Sequence, residues 1–549
     1  MKRDLFRFTA FTAWGLAALA LASPAAAQVQ LNTQAAMPPG EVPVEVRDGV
    51  IQLSLNDAVE LALRRNLGLV IERYTRTQAR LGVEQALGVY DPVAGIDLQA
   101  NDIQRPSTSQ FQSSATETQQ LTFSINQALP SGGSVGLGWQ NSRSTSIGDP
   151  VSPFYNSSVT FSLVQPLLRD FGRASFERQL LIAQTQNLGS NQEFARQVMA
   201  TLQQVINAYW NLVEARDQLN VARESLALAK ELHERNRIQV EVGTMAQIEL
   251  VQSEANIATN EEQIISSQTG VGNSEDELRR LLNLPQGPLW EAEIRPDTTP
   301  EVDSPATDVA AAIRTALEAR PEVRAQQLLV DQARINADYF RNQTLPSLDF
   351  SVNYGLNGSN VGFGAINPTT GRPVTIAENF NNALDQIIGF DFTGWSAQLT
   401  FGYPIGNRTA RAASAIADLS LESAEATLAQ TEQQITTEVR QAARQVDSAA
   451  KQIEAARASV RFQERSLDAE KKRYENGMSS SFEITRIQQD LTGAKSREVT
   501  AVIAYRTALT QLQQSTGQLL PTYSIVIDDP NAPVSRFRYS LFGRRNGNG

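Results

Sequence analysis

The chain has no cysteine and one histidine, His233, in 549 residues. Without thiols there is no disulfide, no thiolate metal site and no cysteine for a lipid anchor. One imidazole excludes His-rich metal centres, and a histidine-dependent triad would have to use His233, which, set in a charged helical stretch, reads as a solvated surface residue. Nothing resembles a phosphate-binding loop, so no nucleotide, metal or other cofactor is expected, nor an enzyme. Beyond the leader there is no run of about eighteen apolar residues, so no helix is expected to cross a bilayer and a β-barrel is the remaining membrane route.

The leader is recognisable. Lys2, Arg3 and Arg7 precede an apolar run from Phe8 to Leu21, and Ala25-Ala26-Ala27 offers a small-residue cleavage site. This pattern predicts a secretory signal peptide over 1–27. Its removal takes 48 basic and 59 acidic side chains to 45 and 58, a net charge of −13. An acidic mature chain argues against nucleic acid as a partner.

The mature sequence is written twice. Ala58-Val-Glu-Leu-Ala-Leu, Gln78-Ala79-Arg80 and Pro92 return at Ala312, Gln332-Ala333-Arg334 and Pro346, all at an offset of 254. Phe161-Ser-Leu-Val-Gln-Pro166 corresponds to Leu399-Thr-Phe-Gly-Tyr-Pro404, and Gly243 with Glu249 corresponds to Gly477 with Glu483. Residues 51–284 form the first repeat and 306–520 the second. Residues 28–50 form a loose N-terminal linker, 285–305 a Pro-rich linker and 521–549 a tail.

Each repeat reads helix, strands, long helix, Gly turn, helix. One rod is predicted from Leu167 to Val240 and another from Ala410 to Tyr474, with shorter helices over 54–90, 244–284, 307–344 and 479–520. Val198, Val205, Leu212, Leu219 and Leu226 recur every seven residues, the mark of a left-handed coiled-coil seam. Strand patterns fall within 93–165 and 347–403. There Ile96/Leu98, Leu121/Phe123/Ile125, Val135/Leu137/Trp139, Val159/Phe161/Leu163, Phe350/Val352/Tyr354 and Leu399/Phe401 alternate with Ser, Thr, Asn, Gln and Gly. Alternation gives one apolar and one polar face, as in a sheet on a soluble core or a membrane barrel. Long connections at one end and the short Leu129-Pro-Ser-Gly-Gly133 turn at the other favour the barrel. Too few strands are present for one chain to close it, so oligomerisation is required.

In its order of motifs the chain resembles the TolC-like outer-membrane efflux family over residues 50–520. The residues carrying the likeness are Leu53-Ser-Leu-Asn-Asp-Ala-Val-Glu-Leu-Ala-Leu, Gln165-Pro166-Leu167-Leu168, and the paired Gly243 and Gly477 turns. The resemblance implies a mainly α protein with a membrane β part: a homotrimeric α-helical barrel of coiled-coil hairpins joined to a β-barrel in outer-membrane lipid. It implies docking to a periplasmic adaptor and an inner-membrane pump or ABC transporter, in a tripartite efflux or type I secretion system. The family contributes four strands per protomer, twelve in the trimer, and twelve is the expectation taken from it. Six candidates are present here, which implies either about eighteen strands or an extra Leu121–Trp139 hairpin folded elsewhere.

The turns at Gly243 and Gly477 mark the far end of the rods. Capping boxes are expected at Thr244 with Gln247 and at Ser480 with Glu483. In the family the segment after the second glycine lines a constriction with acidic residues, backed by links from a Tyr and an Arg. Carried over, Glu483 and its counterpart Glu249 supply acidic rings, Tyr474 retains the aromatic, Ser479 stands where a linking Arg is expected, and Arg486 where a second acid is. Glu483 and Arg486, three residues apart on a helix, are expected to pair. A trimeric adhesin with a coiled-coil stalk, or a structural periplasmic coiled coil, is the rival reading. The adhesin would not place strands in two separated regions of a duplicated chain, and detergent dependence with heat-resistant oligomers would set an outer-membrane trimer apart from the structural coiled coil.

Overall fold

The computed structural model describes residues 48–104, 115–146, 153–300, 308–360 and 380–527. The expected leader, nearly all of the first linker, residues 301–305 of the Pro-rich linker with 306–307 at the start of the second repeat, and the tail from 528 onward lie outside the described residues. In chain order the principal elements are β1 (Val50–Leu53), α1 (Leu55–Arg65), α2 (Leu67–Leu87), β2 (Val93–Gln104), β3 (Ala115–Ala128), β4 (Ser134–Ser146), β5 (Phe154–Pro166), α3 (Arg178–Glu241), α4 (Gln247–Leu282), β6 (Glu293–Pro296), α5 (Val309–Ala319), α6 (Pro321–Asn342), β7 (Ser347–Ser359), α7 (Asn381–Ile388), β8 (Phe392–Gly402), α8 (Arg408–Glu475) and α9 (Ser481–Ser515). No described helix is long and apolar enough to cross a membrane.

The two rods have 64 and 68 residues, about 96 and 102 Å at 1.5 Å per residue. Each is flanked by two shorter helices laid along it: α2 and α4 pack on α3, α6 and α9 on α8. Of the heptad series, Val198, Val205, Leu212 and Leu219 are buried in the seam, while Leu226 is half-exposed. The first rod begins later than the expected Leu167. Leu167 and Arg169 donate their backbone N–H to Leu348 and Pro346, and Asp170 and Gly172 take positive φ, so the chain is still tied to the second repeat there.

The two shorter helices predicted ahead of the strands are each broken once, at positions that correspond in the two repeats. Asn66 adopts φ −58°, ψ 123° between α1 and α2, its Oδ1 accepting from Leu69 N at 3.2 Å. Arg320 takes φ −73°, ψ 128° between α5 and α6. Pro321 accounts for the second break, because its ring disfavours helical geometry in the preceding residue.

β2, β3, β4, β5, β7 and β8 form one antiparallel sheet in that order. The Leu121–Trp139 hairpin therefore does not fold onto another surface. The expectation of four strands per protomer, and with it twelve in a trimer, is corrected to six strands in one sheet. Register explains the correction, since one row joins Ile96, Phe123, Trp139, Val159 and Leu356 and the next joins Asp97, Thr122, Gln140, Ser158 and Asn357. Side chains two apart share a face. The hairpin thus continues both the apolar and the polar face of its neighbours, and any slip by one residue would exchange them. Its turn is also tied in: Gly172 donates its N–H to Ser131 O at 2.9 Å, and Ser131 Oγ bonds Gln165 Oε1 at 2.6 Å.

Where α3, α4 and α1 meet, β1 pairs in parallel with β6, and the largest apolar cluster gathers around Tyr209 and Trp210. Tyr209 Oη donates to Leu53 O and accepts from Thr298 N, both at 3.1 Å. Arg279, buried, pairs with Glu275 at 2.9 Å and donates to Ala292 O at 2.8 Å, while Arg216 bridges Glu275 and Glu293. These bonds fix the linker strand against both helices of the first hairpin.

Candidate functional site

The two helix tips carry the residues that the sequence singles out. Gly243 has φ 77° and Gly477 φ 70°. In each tip the glycine N–H bonds the carbonyl three residues back and the next N–H the carbonyl five back: Gly243 to Val240 and Thr244 to Gln239, Gly477 to Tyr474 and Met478 to Arg473. This is the left-handed helix stop that glycine favours. No atom lies within 4 Å of a Cβ added at either glycine, so alanine there meets only backbone strain. Gly477→Ala is expected to cost about 1–2 kcal/mol locally, seen as faster amide exchange at residues 470–485 with the strands unchanged.

The expected capping boxes are corrected. Thr244 Oγ1 donates to Gln239 O at 3.0 Å, so it finishes α3, and α4 starts after Ala246 with no side-chain cap. Ser480 does cap α9, accepting from Glu483 N at 3.4 Å, but no return bond from the Glu483 carboxylate is present. That carboxylate instead receives Arg486 Nη2 at 2.8 Å and Nε at 3.1 Å. A guanidinium offers two donors one helical turn away, which competes well with a single backbone N–H. The pairing holds the always-charged Arg486 against Glu483 on an exposed face.

Tyr474 is buried, and its hydroxyl lies 2.7 Å from Asn236 Oδ1 and 3.1 Å from Gln239 Oε1. Asn236, fully buried, donates from Nδ2 to Ser481 Oγ at 2.8 Å. A side-chain bridge therefore links the first rod to both arms of the second hairpin. Burial, then the nearby Glu249 carboxylate, raises the Tyr474 pKa above its ordinary value against a smaller lowering by Arg235. The phenol stays a proton donor throughout the neutral range.

Glu249 is only half-exposed, and its Oε2 is buried without a hydrogen-bond partner beside this bridge. Ser479, where a linking Arg is expected, donates to the buried Glu470, which also receives Arg473 at 3.2 Å. Around them Arg235 binds Glu231 and Glu475 at 2.6 and 3.0 Å. His233 is not a free surface residue: its Nδ1 meets Ser253 Oγ at 2.8 Å across the first hairpin. Among the described residues no cluster of acidic side chains and histidine could hold a metal ion.

Sequence reasoning missed Asn236, Gln239, Glu470 and Ser481. For Asn236 a signal existed. Ala222, Ala229 and Asn236 recur every seven residues and are all buried, so an amide stands at a seam position, the place where a polar residue specifies register.

No curated protein matches the chain in sequence. Its fold is similar to several solved outer-membrane channels. The Campylobacter jejuni CmeC channel is 18% identical with a TM-score of 0.60, covering 85% of this chain and 86% of that one. VceC of Vibrio cholerae is 15% identical, TM-score 0.60, over 84% and 96%. The open state of the Neisseria gonorrhoeae MtrE channel is 16% identical, TM-score 0.58, over 85% and 89%. The model for outer membrane efflux proteins matches residues 103–284 and 312–518, one block in each repeat, and the chain belongs to that outer-membrane channel family.

Proposed function

We propose that three copies of the chain close into a passive duct from the periplasm to the exterior, working with a periplasmic adaptor and an inner-membrane pump or ABC transporter. One observation carries the closure. The sheet ends in β2 and β8, each with one edge unpaired in the described sheet, and its apolar face is open there, with Leu98 76% and Trp395 77% exposed. Open apolar edges invite pairing with another chain, and only a closed barrel satisfies every strand in lipid. Three copies joining β2 to β8 satisfy both demands and set the rods side by side. In this reading the driving force is supplied by the partner pump.

The rod tips supply the periplasmic gate. The Tyr474–Asn236–Ser481 bridge holds the second hairpin against the first rod, while Glu483 gives an acidic ring that Arg486 partly neutralises. Glu249, near enough to Tyr474 to raise its pKa and with Oε2 buried, biases the bridge and adds less to the ring. Purified protein is expected to run as a trimer in detergent and to form cation-selective channels in planar bilayers. Glu483→Gln is expected to lower the cation-to-anion permeability ratio about threefold, roughly 0.6 kcal/mol. Monomers without conductance would sink the duct, and unaltered selectivity in E483Q would sink the acidic ring alone.

A further inference from the structure

The additional hairpin changes what the exit can pass. β3 and β4 are full members of the sheet, paired along their lengths to β2 and β5. Barrel circumference is strand number times spacing, divided by the cosine of the tilt. At equal tilt, six strands per protomer instead of four widen the barrel about 1.5-fold and enlarge its section about twofold. The added wall has a definite chemistry. On the polar face β3 presents Thr122 and Ser124, and β4 presents Gly138 and Gln140; the described strands carry only two charged side chains on that face, Asp97 and Asp349.

We propose that the outer-membrane exit is a wide pore walled by neutral amides and hydroxyls, suited to bulky hydrophilic solutes of either charge, with discrimination left to the narrow tip. The proposal rests on the trimeric duct described above. Hydroxyl and amide groups exchange hydrogen bonds with a hydrated solute at little net gain, so such a wall neither grips cargo nor rejects it by sign. Nothing in the added hairpin supplies the rings of like charge that make pores selective.

The absence of cysteine permits a direct test. Single variants Thr122→Cys, Gln140→Cys and Phe123→Cys are placed in the full-length trimer, and water-soluble maleimides of opposite charge and graded polyethylene glycol size are applied to intact cells. The two polar-face variants are expected to label at rates differing less than about threefold between charges, while Phe123→Cys, facing lipid, labels at least tenfold more slowly. Deleting residues 115–146 leaves β2 free to pair with β5 with Ile96 beside Val159. That variant is expected to lower the largest admitted reagent diameter about 1.5-fold at Gln99→Cys.

Because the deletion can also prevent folding, electron microscopy of the wild-type trimer gives an independent count. Eighteen strands support the proposal. A trimer with twelve, or with Phe123→Cys labelling faster than Thr122→Cys, overturns it and leaves the duct intact. Absence of any trimer defeats the duct itself, and the exit with it.

Discussion

Replacing Tyr474 by Phe is expected to open the periplasmic tip. The substitution keeps the ring that fills the space between the first rod and the second hairpin, and removes only the hydroxyl that reaches Asn236 and Gln239. Asn236 Oδ1 then remains buried with its donor gone. A buried acceptor left unsatisfied costs about 1–3 kcal/mol, and the cost falls on the closed tip, because an opened tip admits water to the amide. A shift of that size moves a closed-to-open equilibrium about 5- to 150-fold. Mean conductance of the purified channel is expected to rise at least threefold, and cells are expected to admit bulky antibiotics that the wild type excludes.

Asn236→Ala, which removes the bond to Ser481 as well, is expected to act at least as strongly. Unchanged conductance in both variants would show that the bridge is not the closing contact. Because Tyr474 is held protonated through the neutral range, the bridge is expected to keep the same conductance between pH 6 and 8, apart from titration elsewhere. A tip that opened with a midpoint at or below pH 10, and lost that midpoint in Tyr474→Phe, would contradict the raised pKa.

The second large effect belongs to Trp210→Ala. Trp210 is 1% exposed in the principal core, meets Tyr209 edge to face with centroids 5.5 Å apart, and carries the Arg506 guanidinium 4.8 Å from its ring. Truncation of a large buried aromatic costs about 3–5 kcal/mol. The loss concerns the region where α3, β1 and α9 converge, so it weakens the contact between the two repeats. The detergent-solubilised trimer is expected to dissociate at a lower temperature, with limited proteolysis cutting first around residues 285–300. Arg506→Met, which removes the cation but keeps an apolar stem, is expected to cost less than a quarter as much. Equal effects would mean that the cation, not the ring's volume, holds the region together.

The sequence by itself determined the elements and their order. Seven-residue spacing, strict alternation, glycine stops and the repetition at offset 254 are local or periodic quantities, and they placed two rods, six strands and two tips. Even the exchange of Glu483 with Arg486 was legible, since a helix puts residues three apart on one face. Pro321 carried the signal for one helix break, which the reading of 307–344 as a single helix passed over. The matching break at Asn66 had no proline to announce it.

Tertiary structure decided the rest. Tyr474 finds its partner 238 residues away, and that depends on how two coiled coils are phased against each other, which no local pattern encodes. The same phasing places Glu249 near Tyr474, while packing within the first hairpin sets His233 on Ser253. Thr244 closes one helix instead of opening the next because the left-handed turn brings it under the Gln239 carbonyl. The β3–β4 hairpin looked like a strand pair from either reading. Only its register with β2 and β5 made it part of the wall, because alternation states that a strand has two faces and cannot state which strands share them.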